Sequence, residues 1–157
     1  MGVKAEGPFP RLSLPSLDGH PRPLEALWSA GEALVLLGHG DCKTTRQTLP
    51  YVDRIHLGRA PGATVTAVLQ DDAVTARALV ADQRLELPVL LEADPYPLAA
   101  ALDLVAVPTL FLLDRAGRIA KTVEGFSRSE LESLATRLGV VPPLFGPEDR
   151  APAFRPG

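Results

Sequence analysis

The chain has 157 residues, the length of one ordinary domain with a short tail. Hydrophobic residues make up 46% of it and charged residues 22%, a globular composition that argues against disorder of the whole chain. A net charge of -3 and only 5% aromatic residues argue against a nucleic-acid-binding protein, which would need a basic surface and aromatic side chains for base stacking. The one cysteine, Cys42, excludes an intrachain disulfide and a cysteine-rich zinc site.

No segment has the pattern of a membrane helix or of a signal peptide. The longest apolar stretches are Ala33–Leu37 and Ala106–Leu113, well short of the roughly 20 residues that a membrane helix needs. Residues Met1–Pro10 carry no apolar run. We therefore expect a cytoplasmic protein without a membrane partner, whose thiol is free.

The order of predicted elements begins with a β-hairpin around Asp18–Gly19 and continues as alternating strands and helices. Apolar runs, helical spacing and capping residues give the other boundaries. The predicted elements are a short helix Leu24–Ala30, a strand Ala33–Leu37, a helix Cys42–Leu57 with Pro50 inside it, a strand Ala63–Leu69, a helix from Asp71 or Asp72 to Arg84, a strand Pro88–Leu91, a helix Pro95–Leu102, a strand Thr109–Leu113, a strand Arg118–Val123 and a helix after a capping box that opens at Ser127.

This order predicts an α/β fold. Early alternation of strands and helices indicates a parallel sheet with flanking helices, and the late hairpin adds antiparallel strands to it. The result is a central mixed sheet preceded by an N-terminal β-hairpin. Residues 1–139 are predicted to form the domain, and residues 140–157, with five of the sixteen prolines, an extended or partly mobile tail.

Cys42 is the first candidate for chemistry, because it follows a buried strand and begins a predicted helix. Unpaired N–H groups and the positive end of the helix dipole stabilise a thiolate there, and the charge of Lys43 acts in the same direction. The charge of Asp41 acts against it. The alternative is that Cys42 is a small buried hydrophobic residue without reactivity.

Two further sequence features bear on whether Cys42 is reactive. In the run Val107–Pro108–Thr109 a proline directly precedes an apolar strand, which indicates a special turn in which a cis bond is one option. His39, three residues before Cys42, can act as a base or a cationic neighbour of the thiolate, or be a solvated loop residue. We expect no metal site, since His39, Cys42 and Asp41 have no further ligand in suitable spacing.

Three segments in the correct order resemble the thioredoxin-like superfamily, in its redoxin and thiol-disulfide reductase branch. Leu12–His20 is similar to the hairpin F-x-L-x-D-x-x-G-K, Cys42–Pro50 matches the spacing C-x-x-C-R-x-x-x-P, and Val107–Ile119 is similar to the segment V-P-T-x-F-L-I-D-x-x-G-x-I that holds the cis-proline. The resemblance covers residues 9–138. It implies a thioredoxin-like fold, with Cys42 as the exposed nucleophile and the backbone of Val107 and Pro108 binding the substrate chain.

The chain departs from this family at the site itself. Thr45 stands where the second cysteine is expected and Asp41 where a tryptophan usually precedes the first. Without a resolving cysteine, a dithiol cycle cannot be completed by this chain alone. The peroxiredoxin pattern, with Thr or Ser three residues before the cysteine and Pro seven before, is replaced by His39 and Val35.

Three functions therefore remain open at this point. The first is monothiol thiol-disulfide exchange, in which Cys42 attacks, Thr45 hydrogen-bonds the thiolate, His39 tunes its pKa and an external thiol resolves. The second is a non-catalytic binding module with a thioredoxin-like fold, and the third a one-cysteine peroxidase. The expected partners are protein or small-molecule disulfides and thiols, with no cofactor. The chain would be a monomer or a weak homodimer, for which a Cys42–Cys42 disulfide is one route.

Overall fold

The computed structural model describes residues 6–157. Within them the chain forms ten strands, four α-helices and one 3₁₀ helix. The strands are β1 (Gly7–Pro8), β2 (Ser13–Pro15), β3 (Pro21–Pro23), β4 (Ala33–Gly38), β5 (Thr64–Leu69), β6 (Val89–Leu91), β7 (Thr109–Leu113), β8 (Arg118–Glu124), β9 (Phe126–Ser127) and β10 (Phe154–Arg155). The α-helices are α1 (Lys43–Gly58), α2 (Ala73–Gln83), α3 (Pro97–Ala101) and α4 (Arg128–Arg137), and the 3₁₀ helix is Leu24–Trp28.

Six strands make one mixed sheet in the order β1-β8-β7-β4-β5-β6. β4, β5 and β6 run parallel, whereas β7 is antiparallel to both β4 and β8. β2 and β3 pair separately as an antiparallel hairpin. The predicted mixed sheet and N-terminal hairpin are thus confirmed.

The central strand β4 is apolar throughout because both of its faces are covered. Leu34 and Leu36 pack into the larger apolar cluster, with side chains of α1, α2 and α4. Val35 and Leu37 point to the opposite face, into a cluster built with the 3₁₀ helix and α3. Helices on both faces of the sheet therefore fix the position of the end of β4.

Two helix starts agree with the capping residues in the sequence. Asp72, rather than Asp71, caps α2 by accepting the N–H of Thr75 at 2.7 Å. Ser127 caps α4 by accepting the N–H of Glu130 at 3.3 Å. The helix predicted at Leu24–Ala30 is instead a 3₁₀ helix of five residues that ends at Trp28.

Within residues 6–157 no helix combines the length and apolarity needed to cross a bilayer.

The segment 140–157 is irregular apart from the short strand β10, and it packs against the domain. Leu144 and Phe145 are buried in the larger cluster, with the ring of Phe145 4.5 Å from that of Tyr51. Asp149 accepts two hydrogen bonds from Arg54, at 2.7 and 2.9 Å. Where the domain ends along the chain stays a prediction, and within residues 6–157 this segment contributes side chains to the larger core cluster.

Candidate functional site

Cys42 is the N-cap residue of α1, and three loop residues separate it from the end of β4. Its N–H donates to the carbonyl of His39 at 3.0 Å, and its carbonyl accepts from Arg46. The residue is half-buried. A cysteine at this position has the free N–H groups of the first helical turn directed at its sulfur.

Thr45 lies under the sulfur, one turn into the helix, and is fully buried. Burial raises the pKa of the Cys42 thiol. This is outweighed by the N–H and hydroxyl of Thr45, the N–H of Thr44 and the positive charge of Arg155, so the pKa lies below its usual range. The threonine that replaces a second cysteine thus stabilises the thiolate, although it cannot resolve a disulfide.

Gly38, at the end of β4, is the residue that leaves room for Thr45. A Cβ at this position would lie 2.6 Å from the methyl carbon of Thr45 and 3.1 Å from its hydroxyl oxygen. The strand predicted over Ala33–Leu37 ends directly before Gly38. The contact of Gly38 with Thr45 becomes visible only when the helix is packed against the strand.

Val107 and Pro108 meet Cys42 across 65 residues of sequence. The thiol of Cys42 donates to the carbonyl of Val107, at a sulfur–oxygen distance of 3.3 Å. The peptide bond between Val107 and Pro108 is cis, and β7 begins at the next residue, Thr109. The predicted site residues Cys42, Thr45 and Val107 are therefore neighbours in space.

His39 lies in the same loop, but its ring contacts two carboxylate residues. Its Nδ1 accepts the N–H of Asp41 at 3.1 Å and lies 3.8 Å from the carboxylate of Asp71. Its backbone N–H donates to the hydroxyl of Thr45 at 3.4 Å. The loop is thus connected to the thiol through the backbone of His39, and the role of its imidazole stays a prediction.

Asp71 is a residue of the site that the sequence interpretation did not identify as such. Its side chain is only 3% exposed, and it accepts the N–H of Gly40 at 2.9 Å. The signal was available, since β4 and β5 are parallel and Asp71 follows β5 as Gly40 follows β4. Asp71 therefore fixes the loop that leads to Cys42.

The last residues of the sequence also reach the site. The hydroxyl of Thr44 donates to the carbonyl of Pro156 at 2.8 Å, and Arg155 donates to the side chain of Gln47 at 3.1 Å. The sequence of this segment has no periodicity, so it did not predict these contacts.

The described part of the chain holds no group of three His, Cys, Asp or Glu side chains suited to a metal ion.

Several solved structures superpose on this fold, and their names describe thiol-disulfide oxidoreductases and a peroxidoxin. A Chlorobium tepidum protein assigned as the thiol:disulfide interchange protein DsbE superposes with a TM-score of 0.76 at 22% identity, over 87% of this chain and 96% of its own. The thioredoxin domain of the thiol-disulfide oxidoreductase BVU-2223 from Bacteroides vulgatus gives 0.75 at 16% identity, over 88% and 99%. The peroxidoxin BcpB from Mycobacterium tuberculosis gives 0.71 at 17% identity, over 87% and 96%.

No protein-family model matches the chain, and no curated protein matches it in sequence. The structural similarity, at these identities, establishes the fold. The chain has a thioredoxin-like fold, as the three sequence segments predict.

Proposed function

We propose that the chain is a thiol-disulfide exchange protein with Cys42 as its single reactive thiol. The observation that carries the proposal is the half-buried sulfur at the start of α1, whose pKa is lowered by Thr45 and Thr44 in spite of partial burial. A structural cysteine in an apolar core would have a raised pKa instead. The neighbouring carbonyl of Val107 supports a groove for an extended substrate beside the sulfur.

The exchange needs a substrate disulfide and one external thiol besides Cys42. The Cys42 thiolate attacks one sulfur of a substrate disulfide, the S–S bond breaks, and the other sulfur leaves as a thiolate. An external thiolate then attacks the substrate sulfur of the mixed disulfide and releases Cys42 as a thiolate. Thr45 has no sulfur with which to take that second step, so the resolving thiol comes from a small molecule or another protein.

The experiment is the rate of Cys42 alkylation by iodoacetamide as a function of pH, in the native protein and in the protein unfolded by urea. We expect a native apparent pKa clearly below the free value of about 8.5 and fast alkylation of the native protein. A Cys42→Ser variant is the blank. A native pKa at or above the free value, or protection of the thiol until unfolding, would contradict exchange and favour the binding module.

The peroxidase remains a second candidate because the similar structures include a peroxidoxin. It requires that hydrogen peroxide convert Cys42 to a sulfenic acid rapidly, with water as the other product. Rapid formation of the sulfenic acid, detected by mass spectrometry after trapping with dimedone, would favour this candidate. Slow formation together with fast disulfide exchange would favour the first.

The cell compartment and the assembly are proposals too. We propose the cytoplasm, because reduced glutathione and thioredoxin keep an unpaired thiol reduced there. We propose a monomer or weak homodimer, tested by sedimentation with and without a reductant.

We also propose that the imidazole of His39 modulates the pKa of the Cys42 thiol. The test is the His39→Gln variant, whose pH profile of alkylation should differ from that of the unchanged protein.

A further inference from the structure

Residues 154–157 lie beside the proposed substrate groove. β10 pairs antiparallel with β9, with Phe154 opposite Ser127 and Arg155 opposite Phe126. β9 is separated from β8 only by Gly125, and it forms with β10 a two-stranded sheet apart from the six-stranded one. Strand pairing therefore holds the segment to the domain, a mode by which folded domains also bind extended peptides.

The segment then binds the first turns of α1. The hydroxyl of Thr44, next to Cys42, donates to the carbonyl of Pro156 at 2.8 Å. One helical turn further on, the amide oxygen of Gln47 accepts from the guanidinium of Arg155 at 3.1 Å. One backbone carbonyl and one cationic side chain are thus recognised by two side chains of the helix that carries the thiol.

At its end the segment touches the backbone of Val107. A Cβ placed on Gly157 would collide with the carbonyl oxygen of Val107 and lie 3.3 Å from its nitrogen. This carbonyl is the one to which the Cys42 thiol donates. The segment and the thiol thus share one backbone position, and a substrate chain bound to Val107 would need the space that Gly157 fills.

We propose that residues 154–157 are an internal peptide ligand of the groove, and that the substrate is an extended polypeptide with a basic side chain that must displace them. The inference rests on the proposed function, because it assumes that Cys42 reacts with a chain bound at Val107. The side chain of Phe154 is 60% exposed, so little apolar area holds the segment and it can be displaced. Its tethering gives it an effective concentration of the order of millimolar, which a substrate must overcome.

The test compares a small reagent with a peptide. The small reagent is iodoacetamide, and the peptide is Ala-Arg-Cys-Pro-Gly with its cysteine joined to 5-thio-2-nitrobenzoate. The Cys42 thiolate attacks the peptide sulfur, the coloured thiolate leaves, and a disulfide joins Cys42 to the peptide. The readout is the ratio of the two second-order rate constants, each taken at the pH where the thiol is fully ionised.

Gly157→Val adds bulk against Val107 and should move the segment away from the groove. We expect the ratio to rise about tenfold or more over that of the unchanged protein, since the tethered competitor is removed. Ala153→Val is the matched control: it adds bulk at an exposed position directly before residues 154–157, and should leave the ratio unchanged. Both positions are exposed, and thermal unfolding checks that each variant is folded.

The substrate class is tested in the Gly157→Val protein with the same peptide carrying Gln in place of Arg. We expect the arginine peptide to react several times faster, because Gln47 accepts a hydrogen bond from the guanidinium of Arg155 in the resident segment. Equal ratios in the unchanged protein and in Gly157→Val would overturn the internal ligand, and equal rates for the two peptides would overturn the basic substrate. The iodoacetamide profile alone reports on the proposed function, so the two failures are distinguishable.

Discussion

At the scale of single residues, the reactivity of Cys42 depends on a balance between burial and hydrogen bonding. Burial raises its pKa, whereas the N–H and hydroxyl of Thr45, the N–H of Thr44 and the charge of Arg155 together lower it further than burial raises it. The two N–H groups belong to the helix and persist in any variant that keeps α1. The hydroxyl of Thr45 is the part of the balance that a side-chain substitution can remove.

Thr45→Val keeps the shape of the side chain and removes this hydroxyl. We expect the pKa of Cys42 to rise, because the thiolate loses a hydrogen bond, and a hydrogen bond to a charged group is worth about 1.5–3 kcal/mol. Below the pKa, alkylation by iodoacetamide should then slow by about tenfold at a given pH. The measurement is the pH profile of the alkylation rate.

Thr48→Val is the matched control for that variant. Thr48 is also buried in α1, but its hydroxyl donates to the carbonyl of Thr44 at 2.7 Å. We expect its alkylation profile to match that of the unchanged protein. The same profile in Thr45→Val as in the unchanged protein would rule out Thr45 as a thiolate partner.

At the scale of secondary-structure elements, the site depends on how closely α1 packs against the end of β4. Gly38 has no side chain there, and Thr45 fills the space that results. The same contact determines how near the hydroxyl of Thr45 comes to the sulfur. The packing of strand on helix and the pKa of the thiol are therefore linked through one position.

Gly38→Ala tests this link. The added carbon would lie 2.6 Å from the Thr45 methyl carbon, so we expect a loss of about 1–3 kcal/mol in the free energy of unfolding, the usual cost of overpacking. We also expect a higher pKa of Cys42, since the helix must shift. Urea denaturation and the alkylation profile measure the two effects.

Thr45→Ser supplies the control by a double-mutant cycle. It removes the methyl group that meets the added carbon and keeps the hydroxyl. Gly38→Ala should therefore cost less in the Thr45→Ser protein than in the unchanged one, by about 1 kcal/mol. An equal cost in both proteins would mean that the strain arises elsewhere along β4.

At the scale of the whole molecule, the sequence predicted the sheet well because its strands are apolar runs bounded by glycine and proline. Thr109–Leu113 has the predicted bounds, and Ala33–Leu37 gains only Gly38. Helix starts were identified from local capping residues, Ser127 for α4 and Asp71 or Asp72 for α2, of which Asp72 forms the capping hydrogen bond. These signals act over a few residues, which is why they can be recognised in one sequence.

The rest of the site depends on contacts between distant parts of the chain. No local pattern joins Cys42 to Val107, and only the resemblance to a known family indicated that pair. The contacts of Arg155 and Pro156 with α1 were missed because β10 has two residues, too few for any periodicity. Leu144 and Phe145 were missed for the same reason, since an irregular segment gives no pattern for burial.

The attachment of residues 140–157 to the domain leads to a prediction about acid stability. The two hydrogen bonds from Arg54, together with the N–H of Gly146, lower the pKa of Asp149 to about 2. In the unfolded chain an aspartate has a pKa of about 3.9. The ion pair therefore stabilises the fold fully above about pH 5, and this contribution is lost as the pH falls from about 4 to 2.

Asp149→Asn removes the charge from this pair. We expect the variant to be less stable by about 1 kcal/mol at pH 7, a modest value because the side chain of Arg54 is 42% exposed and water screens the pair. The difference from the unchanged protein should shrink as the pH falls through 4 and be mostly lost by pH 2. Glu132→Gln, at an exposed position of α4 away from this pair, is the control and should follow the unchanged protein. A difference that stays constant from pH 7 to pH 2 would show that Asp149 acts through its shape and not through its charge.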